Sequence, residues 1–82
     1  MLTLKQTELL SFLIQNIEKT GVSPSYEEIC ISLQLKSKSG IHRIVQGLLE
    51  RDYIFKLNNK ARSLFPKKYP NGKKYINYER NV

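Results

Sequence analysis

The stretch Ser25–Glu50, SYEEICISLQLKSKSGIHRIVQGLLE, carries the plainest periodicity in the chain. Its second half places Ile41, Ile44, Val45, Leu48 and Leu49 at the i, i+3, i+4, i+7, i+8 positions of an amphipathic helix. With about 100° of turn per residue, the opposite face carries Ser39, Arg43, Gln46, Gly47 and Glu50, with His42 on its flank. Ser37 stands where an N-cap belongs. Gly47 costs such a helix about 1 kcal/mol relative to Ala, so it either admits a close approach or is a tolerated weakness. The first half reads as a shorter helix over residues 26–33. Ser25 and Glu28 have capping-box spacing, Glu27 and Glu28 suit the positive end of the helix dipole, and Ile29 and Leu33 stand one turn apart. Cys30 reads as a small packing residue. Gln34-Leu35-Lys36 is then a tight connection, with Leu35 tucked between the helices.

Working outward, Thr3 and Gln6 repeat the capping-box spacing, and Leu9, Leu10, Leu13, Ile14 and Ile17 form the apolar stripe of a helix over residues 4–19. Gly21 supplies a left-handed stop, and Pro24 prevents continuation. Beyond Asp52 the periodicity changes. Tyr53–Leu57 is β-prone, Asn58-Asn59 is turn-prone, and Ala61–Phe65 returns as a partner strand, packed through Ile54 or Phe55 and Leu64. The expected fold is α+β, mainly α: a winged helix-turn-helix of three helices followed by a β-hairpin wing, occupying residues 1–66. Residues 67–82 carry Lys67, Lys68, Lys73, Lys74 and Arg80 against Glu79, with a turn at Pro70-Asn71-Gly72. They read as a basic, flexible tail.

Eighty-two residues allow one small domain and exclude a two-domain enzyme with a large buried cleft. No apolar run approaches a membrane span, and no secretion signal is evident. One cysteine cannot make an internal disulfide, which suits a reducing cytoplasm. The net charge of +7 is polarised. Residues 1–35 set Lys5 and Lys19 against Glu8, Glu18, Glu27 and Glu28, a net −2, whereas residues 36–82 carry +9. Clustered bases displace the counterions condensed on phosphates, so nucleic acid is the simplest partner. A merely soluble basic protein and a binder of anionic lipid are the alternatives at this level.

An α-helix fits the major groove, and its first turn offers short polar side chains and N–H groups to bases and phosphates. The third helix opens with Ser37, Lys38, Ser39, Gly40, His42 and Arg43, with Gln46 further along the outer face. The basic hairpin residues Lys56, Lys60 and Arg62 suit a wing that holds the sugar-phosphate backbone.

Here the residues meet a family. Residues 3–65 resemble the N-terminal DNA-binding domain of LexA repressors, regulators of the bacterial DNA-damage (SOS) response. The resemblance lies in Leu2-Thr3-Leu4-Lys5-Gln6, in Thr20-Gly21-Val22-Ser23-Pro24-Ser25, in Leu48-Leu49-Glu50-Arg51 and in the wing stretch Asn58-Asn59-Lys60-Ala61-Arg62-Ser63-Leu64. Ser37-Lys38-Ser39-Gly40-Ile41-His42-Arg43 is similar to the alphaproteobacterial version. The resemblance implies that Ser37, Ser39, Gly40, His42 and Arg43 face DNA. Arg43 suits guanine O6 and N7, His42 a base or a phosphate, and Ser37 both a helix cap and a phosphate. Lys38, Lys60 and Arg62 then supply affinity without sequence information. It also implies an operator of directly repeated GTTC-type half-sites. Full repressors continue into a dimerising domain that cuts its own Ala-Gly bond with a Ser-Lys dyad. This chain stops at Val82, so self-cleavage is not expected of it.

The expected function is a sequence-specific double-stranded DNA-binding regulator, cytoplasmic and nucleoid-associated, with no enzyme activity, cofactor, metal, membrane or small-molecule ligand. A second half-site would be filled by a homodimer on DNA or by cooperating copies. The alternatives are a protein-protein interaction module using the same fold, as an anti-repressor or adaptor, and a non-specific nucleic-acid binder.

Overall fold

The computed structural model describes residues 2–57 and 63–75. Three helices, α1 (Leu4–Thr20), α2 (Tyr26–Leu33) and α3 (Lys38–Glu50), precede two short antiparallel strands, β1 (Ile54–Lys56) and β2 (Leu64–Pro66). This is the expected mainly helical winged architecture, with α1 running one residue further than expected.

Both capping boxes form. The Gln6 N–H donates to Thr3 Oγ1 at 3.1 Å while the Thr3 N–H donates to Gln6 Oε1 at 2.9 Å. The Glu28 N–H donates to Ser25 Oγ at 3.2 Å while the Ser25 N–H donates to Glu28 Oε1 at 2.9 Å. Each pair satisfies donors that a helix start leaves without intrahelical partners. Gly21 ends α1 in the left-handed region (φ +80°), its N–H donating to Ile17 O at 2.8 Å. Gln34 takes the same conformation after α2 (φ +56°) and turns the chain toward α3. Leu35 is half-buried there, packed against the core as expected, and Cys30 is likewise half-buried at the core's edge.

Leu9, Leu10, Leu13, Ile29, Ile41 and Leu48 are fully buried where the three helices meet. Ile54 and Leu64 carry the hairpin onto them, which two strands of three residues require for stability. The register pairs Ile54 with Pro66, Phe55 with Phe65 and Lys56 with Leu64. Phe55 and Phe65 stack on the outer face with ring centroids 5.3 Å apart.

The ordered unit extends past the boundary expected at Pro66. The Lys67 N–H donates to Tyr53 O at 2.7 Å, and the Tyr75 N–H donates to Lys67 O at 3.0 Å. Lys68 and Lys74 form an antiparallel bridge, closed by a turn in which the Gly72 N–H reaches Tyr69 O at 2.8 Å with Gly72 at φ +90°. Tyr75 is 1% exposed and joins the core, with the Tyr69 ring edge-on at 5.2 Å. The polar composition of this stretch suggested a flexible tail. Its Pro, Asn and Gly instead build a turn at the expected place, and that turn delivers one large aromatic side chain to the core. Residues 76–82, the rest of that expected tail, lie outside the described residues.

Candidate nucleic-acid interface

The start of α3 differs from the other two helix starts. Ser37 sits at the N-cap in extended conformation (φ −148°, ψ 158°), yet its side chain makes no capping hydrogen bond. Its hydroxyl instead pairs with Ser39 Oγ at 2.9 Å. The expected side-chain cap is therefore absent, because the two serine hydroxyls satisfy each other. The first turn of α3 contains no acidic residue, and its first residue is Lys38. Ser37, Lys38 and Ser39 are all exposed. Such a helix end presents N–H groups, two hydroxyls and an ammonium together, a combination suited to an anion.

Along the outer face, Ser39, Arg43, Gln46 and Glu50 are exposed at helical spacing, and Gln46 Nε2 donates to Glu50 Oε2 at 3.3 Å. Two expected members face elsewhere. Gly40 is half-buried, and a β-carbon there would stand 3.9 Å from Leu35 Cδ2, on the side of the inter-helix turn. A β-carbon on Gly47 would strike the amide of Gln6. The close approach that Gly47 admits is thus by Gln6 of α1's own capping box, which is 9% exposed.

His42 is exposed on the flank of α3 and lies edge-on to the Tyr26 ring, with centroids 5.5 Å apart and planes at 65°. Lys56, at the end of β1, places its Nζ 5.5 Å from the centroid of that same ring. Lys60 and Arg62 lie outside the described residues. Sequence reasoning had noted Lys56 only among the basic hairpin residues, and it missed Tyr26 altogether. Alternation along β1 already put Lys56 on the core-facing side with Ile54. Nothing local to Tyr26 announces neighbours from α3 and the wing.

At the far end of α3, Asp52 takes a left-handed conformation (φ +63°), and Lys67 Nζ donates to its Oδ1 at 2.7 Å. That hydrogen bond, aided by the positive charges of Lys67 and Lys68, holds the Asp52 carboxyl below the ordinary aspartate range. Among the described residues no group of three or more His, Cys, Asp or Glu side chains is placed to hold a metal ion. No helix there is long and apolar enough to cross a membrane.

Related proteins share this arrangement of sequence. The chain is 53% identical over 70 residues to a LexA repressor of Erythrobacter litoralis, a match covering 85% of this chain and 30% of the relative. It is 54% identical over 70 residues to a LexA repressor of Pelagibacter ubique, covering 85% and 31%. With a LexA repressor of Zymomonas mobilis it shares 47% identity over 76 residues, covering 93% and 35%. The chain thus spans about a third of the length of these relatives. Residues 1–63, which hold the three helices, the open start of α3 and the first strand of the wing, match the LexA DNA binding domain, and the chain belongs to that family.

Proposed function

We propose that this chain is a sequence-specific double-stranded DNA-binding transcriptional repressor of the LexA type, acting at SOS-type operators. α3 enters the major groove by its N-terminal half while the wing rests on the sugar-phosphate backbone. The observation that carries this reading is the start of α3, uncapped by its serine, free of acidic residues and led by Lys38. Arg43 reads a guanine, His42 and the first-turn serines hold bases or phosphates, and Lys38, Lys60 and Arg62 add affinity on the backbone. The names of the relatives support repression as the outcome. Directly repeated GTTC-type half-sites are the expected operator, with a second copy of the chain on the second half-site.

The test is fluorescence anisotropy of the whole chain on a duplex with two GTTC half-sites and on a scrambled duplex, at low and moderate salt. A preference that survives moderate salt is expected, since non-specific binding is mostly counterion release. Arg43→Ala is expected to cost about 1–3 kcal/mol on the operator alone. Equal binding to both duplexes, or equal loss on both from Arg43→Ala, would overturn the reading.

A further inference from the structure

We propose that Lys56, His42 and Tyr26 form one seat for a DNA phosphodiester in the furrow between α3 and the wing, with Tyr26 as its positioning residue. The inference rests on the DNA-binding reading above and adds to it a site built from three elements. Tyr26 is the first residue of α2, half-buried and packed against the core, so its ring is held in place by the fold. Lys56 comes to it from β1, with Nζ 5.5 Å from the ring centroid, the range of a cation–π contact. His42 comes from α3, edge-on to the ring at 5.5 Å.

Both arriving side chains remain exposed. The ring therefore orders a lysine that would otherwise sample many rotamers, and the same ring is approached by the His42 imidazole. Among the described residues Lys56 has no carboxylate partner. The nearest acids along α2 are Glu27 and Glu28, and the Glu28 carboxylate is committed to the Ser25 N–H at 2.9 Å. A cation ordered over an aromatic face, without an acid to neutralise it, is prepared for an external anion. A duplex strand that borders the groove holding α3 and passes beneath the wing crosses this furrow, and its phosphodiester is the anion available there.

The test uses the full chain and the same two duplexes, with Kd followed across salt concentration and folding checked by thermal melting. Lys56→Gln should weaken operator binding about 3- to 10-fold at low salt and lower the salt slope by about one, while leaving the preference over the scrambled duplex intact. Tyr26→Phe should bind as the parent does. Tyr26→Leu should lose as much as Lys56→Gln, and the double variant should be no weaker than either single one, because each breaks the same seat. An unchanged salt slope in Lys56→Gln, or losses that simply add in the double variant, would overturn the seat. If Tyr26→Leu fails to melt cooperatively, the pair His42→Gln and Lys56→Gln decides in its place: joint losses well short of the sum support the seat, and additive losses overturn it. Failure of the DNA-binding reading looks different, since the parent chain itself would then show no operator preference.

Discussion

Ser25 and Ser37 open consecutive helices with the same side chain, both in the extended region of backbone conformation, and they use it in opposite ways. Ser25 Oγ accepts the Glu28 N–H, Glu28 answers the Ser25 N–H, and two glutamates sit against the dipole of α2. Ser37 Oγ turns to Ser39, no acid is present, and Lys38 puts a positive charge where the dipole is already positive. The start of α1 repeats the closed arrangement of α2. A helix start that exists only to hold the fold closes its own hydrogen bonds. On the proposed DNA-binding reading, the start of α3 is left open to receive a phosphate, at the expense of a less stable helix in the unliganded protein.

The largest expected break of this contrast is Lys38→Glu. Replacing the leading cation by an acid should stabilise α3 by roughly 0.3–1 kcal/mol through the dipole. It should also cost about 2 kcal/mol of operator affinity at low salt, since a charge-assisted phosphate contact is lost. Melting temperature must therefore rise while affinity falls, so that Tm and Kd both increase; a fall in both stability and affinity would mean that the open start serves stability after all.

Exchange of the two serines for alanine sharpens the same comparison. Ser25→Ala should lower unfolding free energy by about 1 kcal/mol and leave the preference for operator unchanged. Ser37→Ala should change stability by less than about 0.5 kcal/mol, because no capping bond is removed, while weakening DNA binding. Denaturant titration of both variants, paired with anisotropy, reads the two effects separately.

A smaller effect concerns how the closed start of α1 is locked to α3. In the parent chain Gly47→Ala should gain about 1 kcal/mol in helix propensity and lose a similar amount by displacing Gln6 from its capping box, for little net change. In a Gln6→Ala background the obstruction is gone, so the same substitution should stabilise by roughly that 1 kcal/mol. Equal effects in the two backgrounds would remove Gln6 as the reason for the glycine.

The smallest effect lies at the other end of α3. The Asp52 carboxyl is depressed by its hydrogen bond from Lys67, so its contribution to stability is present above the ordinary aspartate range and fades as pH falls through the depressed value. Melting curves below about pH 4 should show that loss in the parent and not in Asp52→Asn, which retains a residue tolerant of the left-handed conformation. Asp52 is exposed and Lys67 only half-buried, so the difference should be slight.

The readable parts of the molecule are those governed by short-range rules. Both capping boxes, the Gly21 stop and the bounds of α2 follow from spacing within a few residues, and the structure agrees with each. The stripe of α3 was legible too, with Ile41, Val45 and Leu48 buried and Ile44 and Leu49 half-buried at its edges. Ser37 was misread as a side-chain cap because a serine's choice between a backbone N–H and a neighbouring hydroxyl is a matter of rotamer, which spacing does not determine. Residues 67–75 were misread because composition averages over a segment, whereas one fully buried tyrosine is enough to dock it.

By itself, then, the sequence determined the order of three helices and a wing, the outward face of α3 with Arg43 and Gln46, and the polarised charge that points to phosphate. Each is a local or additive property of the chain. Tertiary structure alone decided that Gly47 receives Gln6, that Tyr75 completes the core, and that Lys56 and His42 each approach the Tyr26 ring. These are contacts between residues distant in sequence, set by how the helices and the hairpin pack. Packing responds to the shape of the whole core and leaves no periodic mark on the segments that take part.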